Sequence, residues 1–520
     1  MAGVTRMRGG HRRAEFLALA AALSIALLPV RPVALPALAA SFDPLLARAP
    51  YLTDLTQTSV QVNWATTTQG HGTLRWGPPG ACTQNVVTVG IFTRINVAPT
   101  GYFLYDYMDS LTISGLSPRS TYCYRIYSST GVDLLSSANP SPTFTTLDPV
   151  STSSQASLTF AVIGDFGDNT NSSTGSVSST SYNAAQQAIM ASIAGSGARF
   201  VVGVGDLAYQ DGTQANYGDL RETGTNAPGG TDRQRLQISN IFGPRYWAQI
   251  NGVPFFPANG NHGRNNNIMR NWPMPATIAA SGGTYDLVSY PAMDGASAAT
   301  YGTVWYAFST GNVRIYALDA SWTDGNVGSG NGGLCKPTPC ASYQLDRDQH
   351  WKTTSPEYQW LKADLLAHPG GLKLAMFHYP LRSDNSTQPS DPYLQNTASN
   401  PNSLEALLSA NGVKLAFNGH AHIYQRNAPT GPGQIISYVT GGGGGKVEPV
   451  GTGVPCAATD AYAVGWTYSH NHGYACGAAP IPTSPLHVYH YLKVTVVGTS
   501  VTVTPVNALG QTFDARTYSF

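Results

Sequence analysis

Charge is scarce in this chain. Asp, Glu, Lys and Arg make up only 11% of its 520 residues, and the formal net charge is +1. So neutral a chain has no global field to draw in nucleic acid, although a bound metal can still be the largest local charge in a site. Low charge also disfavours a coiled coil or helical bundle. Cysteine is sparse: there are six, none in CxxC spacing, which speaks against a zinc-cage motif. No internal repeat runs along the chain. The one Gly run, Gly441 to Gly445, is no P-loop, because Lys446 is not followed by Ser or Thr. It follows an apolar run from Ile435 to Val439 and reads as a close backbone turn.

What is abundant is Gly, Pro, Ser and Thr, with a hydrophobic fraction of 42% that supplies a sizeable core. This is the composition of a loop-rich β or α/β protein, and the length calls for two or more domains. The N-terminus reads as an export signal. Arg6, Arg8, Arg12 and Arg13 precede an apolar stretch from Phe16 to Leu28, and Ala37-Leu38-Ala39 offers a small-x-small cleavage site. Pro29, Pro32 and Pro36 break the run, which is short for a bilayer span. The expectation is a leader over residues 1–39 and an exported protein, extracellular or periplasmic, with no membrane span after leader removal. The cysteines fit an oxidising compartment, and sequence-nearest pairing gives Cys82–Cys123, Cys335–Cys340 and Cys456–Cys476. Asn171-Ser172-Ser173 and Asn385-Ser386-Thr387 are glycosylation sequons.

Two patterns divide the rest. Residues 40–148 alternate apolar and polar in short runs such as Val60-Gln61-Val62-Asn63-Trp64, separated by turns such as Gly77-Pro78-Pro79-Gly80. They read as an all-β sandwich. Trp64, Tyr122, Tyr124 and the preceding Leu116-Ser117-Pro118 resemble a fibronectin type III-like domain. From 149 to 520, apolar strand runs alternate with helical patterns: strands at Leu158 to Ile163, Phe200 to Val204, Arg314 to Leu318, Leu372 to Phe377 and Val413 to Phe417, and helices at Ala184 to Ile193, Glu357 to Ala367 and Leu404 to Leu408. This implies a parallel or mixed sheet covered by helices. Residues 264–300 and 323–350 read as long irregular insertions.

Five segments of this region share one layout. Ile163-Gly164-Asp165-Phe166-Gly167, Val204-Gly205-Asp206-Leu207-Ala208-Tyr209, Ala258-Asn259-Gly260-Asn261-His262, Phe377-His378-Tyr379 and Phe417-Asn418-Gly419-His420-Ala421-His422 each follow an apolar run. Ligands in α/β sheets gather beyond the carboxyl ends of strands, so all five aim at one rim. Each motif alone is an ordinary turn; five in succession are not. Carboxylate, imidazole, amide and phenol donors suit borderline-hard metal ions, and a bridging carboxylate can hold two ions about 3.5–4 Å apart.

These motifs resemble the purple acid phosphatases, within the calcineurin-like metallophosphoesterases. Val304-Trp305-Tyr306 and Tyr358-Gln359-Trp360-Leu361 are similar to framework segments of that family. The resemblance implies an α/β (α+β) metallophosphoesterase β-sandwich flanked by helices, behind the fibronectin-like domain. Tyr209 discriminates: many relatives carry Asp-x-His in the first motif, whereas Asp165 is followed by Phe166-Gly167. A phenol of pKa about 10 ionises at neutral pH only under a strong Lewis acid such as ferric ion. The resemblance then implies Asp165, Asp206, Tyr209 and His422 around Fe(III), with Asp206, Asn261, His378 and His420 around a divalent Zn, Fe or Mn. It implies hydrolysis of a small phosphate monoester by a metal-bound hydroxide, with His262 as general acid or phosphate ligand. A two-metal phosphodiesterase or nucleotide phosphohydrolase is the alternative, and an adhesion module with an inert metal domain a third. Gly263 departs from the family, which usually has an acidic residue there. Nothing in the residues speaks to oligomeric state.

Overall fold

Alternation organises the N-terminal strands as expected. Strands β1 (Leu46–Thr53), β2 (Val60–Thr66), β3 (Thr73–Gly77), β4 (Asn85–Val87), β5 (Ile91–Asn96), β6 (Tyr105–Ile113), β7 (Thr121–Tyr127) and β8 (Thr143–Thr145) form two four-stranded sheets, ordered β1-β2-β6-β5 and β4-β3-β7-β8. Val60, Val62 and Trp64 of β2 enter the apolar core, as do Leu74, Leu111, Tyr124 and Ile126, while the polar Gln61 and Asn63 of β2 are also buried. The Tyr122 hydroxyl accepts the Ser117 N–H at 2.9 Å, tying the start of β7 to the chain five residues upstream, as in the tyrosine corner of such sandwiches. The region is fibronectin type III-like. Cys82–Cys123 staples the turn after β3 to β7, within one sheet.

The chain is described here from a computed structural model, over residues 42–97, 103–136, 139–151, 156–168, 170–176, 182–209, 212, 214–221, 241–245, 252–262, 267–282, 305–321, 351–429 and 431–520. The leader, the Cys335–Cys340 pairing, Gly263 and most of both insertions lie outside the described residues.

The second region is a sandwich of two mixed sheets. The first sheet holds β9 (Ser157–Ile163), β10 (Val201–Gly203) and β11 (Phe255–Pro257). It is completed by strands from the end of the chain, so β12 (Tyr306–Thr310), β13 (Val313–Ala317), β14 (Leu372–Met376), β15 (Val413–Asn418), β16 (Tyr424–Asn427), β17 (Ile436–Thr440), β18 (Asp460–Thr467) and β19 (His472–Gly477) intervene before β20 (His490–Val497), β21 (Ser500–Asn507) and β22 (Arg516–Ser519). Its order is β11-β10-β9-β20-β21-β22, and that of the second sheet is β12-β13-β14-β15-β17-β16-β18-β19. The three strands β9, β10 and β11 are mutually parallel, as are β13, β14, β15 and β17. The two sets end together, since His378 after β14 reaches the Val204 carbonyl after β10, so their carboxyl ends share one rim.

The central strands are buried on both faces. Ile315, Leu374 and Phe417 join the core between the sheets, while their neighbours Tyr316, Ala375 and Ala416 join a second cluster outside it. That outer cluster is closed by two crossover helices. With α1 (Ala184–Gly195), α2 (Gln214–Tyr217), α3 (Asn267–Asn271) and α4 (Pro275–Ala280) preceding them, these are α5 (Pro356–Ala367) and α6 (Leu404–Ala410). Ser355 caps α5 by accepting the Tyr358 N–H, with Pro356 in the first turn, and Ser403 caps α6 likewise. Leu361, Leu365, Leu404 and Leu408 lie fully buried against the sheet, each stabilising it by about 1.5–3 kcal/mol.

The stretch 264–300, expected to be irregular, carries α3 and α4. The reason is tertiary. The Asp54 carboxylate, from the N-terminal sandwich, accepts the Ala276 and Thr277 N–H groups at 2.8 Å each and so caps α4 from another part of the chain. Arg48 strengthens the same junction. It donates to Asp106 at 2.9 Å and to Asn271 of α3 at 2.6 Å, and stacks 4.6 Å from the Phe242 ring centroid. Cys456–Cys476 ties the segment before β18 to β19. The Asn385 side chain of the second sequon is buried, and its amide donates to the Pro449 carbonyl at 3.0 Å.

Candidate metal centre

The parallel strand ends bring all seven expected ligands together. Asp165 follows β9, Asp206 and Tyr209 follow β10, Asn261 follows β11, His378 follows β14, and His420 and His422 follow β15. Asp165, Asp206 and His420 sit in the left-handed backbone region, at φ 54°, 50° and 72°. Such positions cost of order 1–3 kcal/mol each for a non-glycine residue. Here they turn the polar groups back over the strand ends. The His420 N–H then donates to both oxygens of Asp165, at 3.0 and 2.9 Å. The His262 N–H donates to Asp206 Oδ1 at 2.6 Å.

Two glycines make this crowding possible. A Cβ on Gly419 would meet the Asp165 carboxylate, and one on Gly260 would collide with the backbone and carboxylate of Asp206. Each glycine lets one ligand loop pass against another's side chain.

The side chains form two halves that share Asp206. On one side the Tyr209 hydroxyl lies 3.1 Å from Asp165 Oδ1, 2.9 Å from Asp206 Oδ2 and 2.9 Å from His422 Nε2. On the other side His378 Nε2 lies 2.8 Å from Asn261 Oδ1 and 3.3 Å from Asp206 Oδ1. The His420 ring stands 5.1 Å from that of His378, and donor atoms of Asp206, His378 and His420 all fall within 4.8 Å of one another. The two oxygens of Asp206 thus face opposite halves. His262 is half-buried at the rim, its ring 4.8 Å from that of Tyr209.

A sequence model of calcineurin-like phosphoesterases matches residues 158–424, just over half the chain and the span holding every one of these side chains. The chain belongs to the calcineurin-like phosphoesterase family. It is a hydrolase of a binuclear metal-binding superfamily. Its fold is also that of a purple acid phosphatase from yellow lupin (Lupinus luteus) seeds, with 15% identity and a TM-score of 0.53 over 91% of this chain and 74% of that one. PhoD is similar at 12% identity and a TM-score of 0.50, over 92% of this chain and 90% of that one. At these identities the likeness speaks for the fold. No curated protein matches the chain in sequence at a significant level.

The donor set of this phosphoesterase fits metal. His378 Nδ1 lies 2.9 Å from the Val204 carbonyl and His422 Nδ1 2.9 Å from the Lys446 carbonyl. A carbonyl can only accept, so both Nδ1 atoms carry the proton and both Nε2 atoms are turned to the site. There each Nε2 faces carboxylate, amide or phenol oxygens, a grouping that requires a cation. Burial alone would lower both imidazole pKa values. Asp206 instead lifts His378 to about 9, and Asp165 lifts His422 to about 10. Burial would raise the Asp206 carboxyl, but His378, then His262 and His420, hold it below the usual carboxylate range. Burial, then Asp165 and Asp206, push the Tyr209 phenol far above its ordinary value. Protons stand in for the positive charge that this cluster of anions demands.

Sequence reasoning missed the supports. The Val204 and Lys446 carbonyls carry no side-chain signal. Tyr379, whose ring lies 4.4 Å from that of His420, directly follows an expected ligand and was legible by position. Asp319, beyond the carboxyl end of β13, is fully buried, accepts from Asn259 at 3.1 Å and donates its backbone N–H to the Glu357 carboxylate at 2.7 Å. It ends a parallel strand as the ligand runs do, but without a glycine before it.

Proposed function

We propose that this phosphoesterase is an exported acid phosphatase of the purple acid type, acting on phosphate monoesters. One observation carries the reading: a buried phenol, Tyr209, stands between two carboxylates and an imidazole. Asp165, Asp206, Tyr209 and His422 would hold Fe(III), and Asp206, Asn261, His378 and His420 a divalent Zn, Fe or Mn. When bound, the pair supplies charge for the phosphate oxygens and lowers the pKa of water for attack.

The chain's own residues supply the rest. The Val204 and Lys446 carbonyls hold the Nδ1 proton of the two imidazoles, so that Nε2 is the nitrogen each would offer to a metal once its own proton is displaced. Asp206, with one oxygen facing each half, would hold the two ions side by side. His262, half-buried and tethered to Asp206 through its backbone N–H, would give a proton to the departing alkoxide or bind a phosphate oxygen. The same reading divides the chain into a leader over 1–39, an accessory sandwich over 40–148 and a catalytic domain over 149–520. Export agrees with the two disulfides, Cys82–Cys123 and Cys456–Cys476. Among the described residues no helix is long and apolar enough to cross a membrane.

Elemental analysis and a visible spectrum of the purified full chain test the metals. Iron with a charge-transfer band is the expected result, and its absence defeats the ferric reading. Turnover of p-nitrophenyl phosphate against bis(p-nitrophenyl) phosphate tests the ester class. A preference for the bis ester means a phosphodiesterase.

A further inference from the structure

Helix α1 lies outside the ligand runs, yet its first turn reaches two of the loops that carry them. Asn183 and Gln186 are both fully buried. Asn183 Oδ1 caps the helix by accepting the Gln186 N–H at 3.0 Å, while its Nδ2 donates to the Gly444 carbonyl at 2.6 Å. Gln186 Oε1 accepts the Gly167 N–H at 3.0 Å. A Cβ on Gly444 would collide with that same Oε1, so the glycine run packs directly on the helix.

Each contact leads to a ligand by one further bond or segment. The Gly167 carbonyl accepts the Tyr209 N–H at 3.0 Å, and Gly167 stands two residues beyond Asp165. Next to Gly444, the Gly445 N–H donates to the Asp165 carbonyl at 2.6 Å, and the Lys446 carbonyl accepts His422 Nδ1 at 2.9 Å. Asp165, Tyr209 and His422 are the ligands that the tyrosine half does not share. The other half has supports of its own: His378 bonds to the Val204 carbonyl, and its own carbonyl accepts the Gly419 N–H at 2.9 Å, although His420 also leans on the Asp165 carboxylate through its N–H.

We propose that Asn183 and Gln186 are positioning residues for the tyrosine half of the metal centre. The inference rests on the two-metal reading above. Helix α1 acts as a clamp across the loop after β9 and the glycine run after β17, setting the distance between Asp165 and His422 and fixing the carbonyl that selects the His422 tautomer. Supports of this kind, when removed, typically weaken metal binding about 10–100-fold.

The test uses the full chain as Asn183→Asp, Gln186→Leu and Gln186→Glu. Asn183→Asp keeps the oxygen that caps the helix and loses the donor to Gly444. Gln186→Glu keeps the acceptor for Gly167, and Gln186→Leu does not. Metal content per chain, metal retention under chelator, the visible band and Tm are read for each. Expected are iron binding weakened about 10–100-fold and a shifted band in Asn183→Asp and Gln186→Leu, with the divalent ion less affected, and a smaller loss of iron in Gln186→Glu than in Gln186→Leu. Full iron with an unshifted band in Asn183→Asp and Gln186→Leu overturns the inference and leaves the two-metal reading standing. So does equal loss of both metals with a lowered Tm in all three, which marks a general effect on the fold. A wild type without iron overturns the underlying reading, and the inference with it.

Discussion

The Tyr209 hydroxyl lies 2.9 Å from His422 Nε2, and the other nitrogen of that ring bonds to the Lys446 carbonyl. Once their protons are displaced, the phenol oxygen and the imidazole nitrogen would offer lone pairs to a shared metal. Tyr209→Phe removes one of those donors without changing the ring packing against His262. Loss of the visible charge-transfer band is expected, with the fold retained by circular dichroism. A band that survives the substitution assigns the colour to another group.

Asp206 and His262 are bonded to each other, yet their variants are expected to behave differently. Asp206 Oδ1 and Oδ2 face separate halves of the site, so Asp206→Asn is expected to lose both metals. His262 donates its backbone N–H to Asp206 Oδ1, while its ring packs against Tyr209. His262→Ala is expected to keep full metal and slow turnover by about 10²–10⁴, the scale of a missing general acid. Elemental analysis beside kcat on p-nitrophenyl phosphate separates the two. Unchanged kcat in His262→Ala takes that residue out of proton transfer.

The Arg48–Asp106 pair is fully buried where the sandwich meets α3. Breaking a buried pair from one side leaves the remaining charge poorly solvated. Arg48→Met is expected to cost about 3–5 kcal/mol in urea unfolding. A loss below about 1 kcal/mol means that Arg221, the second cation on Asp106, suffices on its own.

Asp384 and Asp460 share one donor, the Ala457 N–H, at 3.0 and 2.8 Å. Burial, then the bond to Asp384, raise the Asp460 pKa from 3.8 to about 8. A carboxyl raised in the folded state holds its proton more tightly there than in the unfolded chain. Its stabilisation is complete below the unfolded value of 3.8 and is lost as pH climbs through about 8. Wild-type Tm is therefore expected to carry a downward component between pH 4 and pH 8, and Asp460→Asn to flatten it. Parallel Tm profiles for the two proteins count against a shared proton.

Much of the site is legible in the sequence because it is local. A glycine beside a ligand at the end of an apolar run encodes strand, turn and donor within five residues, as in Gly205-Asp206 and Gly419-His420-Ala421-His422. The covered strands and helices α1, α5 and α6 are legible for the same reason. So are Cys82–Cys123 and Cys456–Cys476, since neighbouring strands bring sequence-near cysteines together.

Other features come from contacts between distant segments. Helix α4 begins where it does because Asp54, more than two hundred residues earlier, caps it. Asn385 has the spacing of a sequon but is used up inside the protein by Pro449. The sequence by itself determined which side chains can bind metal and that parallel strand ends would gather them. Only the tertiary structure decided which oxygen of Asp206 faces which half, and which nitrogen of His378 and His422 is offered. Those choices are made by the Val204 and Lys446 carbonyls, and every residue has a carbonyl. What distinguishes these two is where the folded chain puts them.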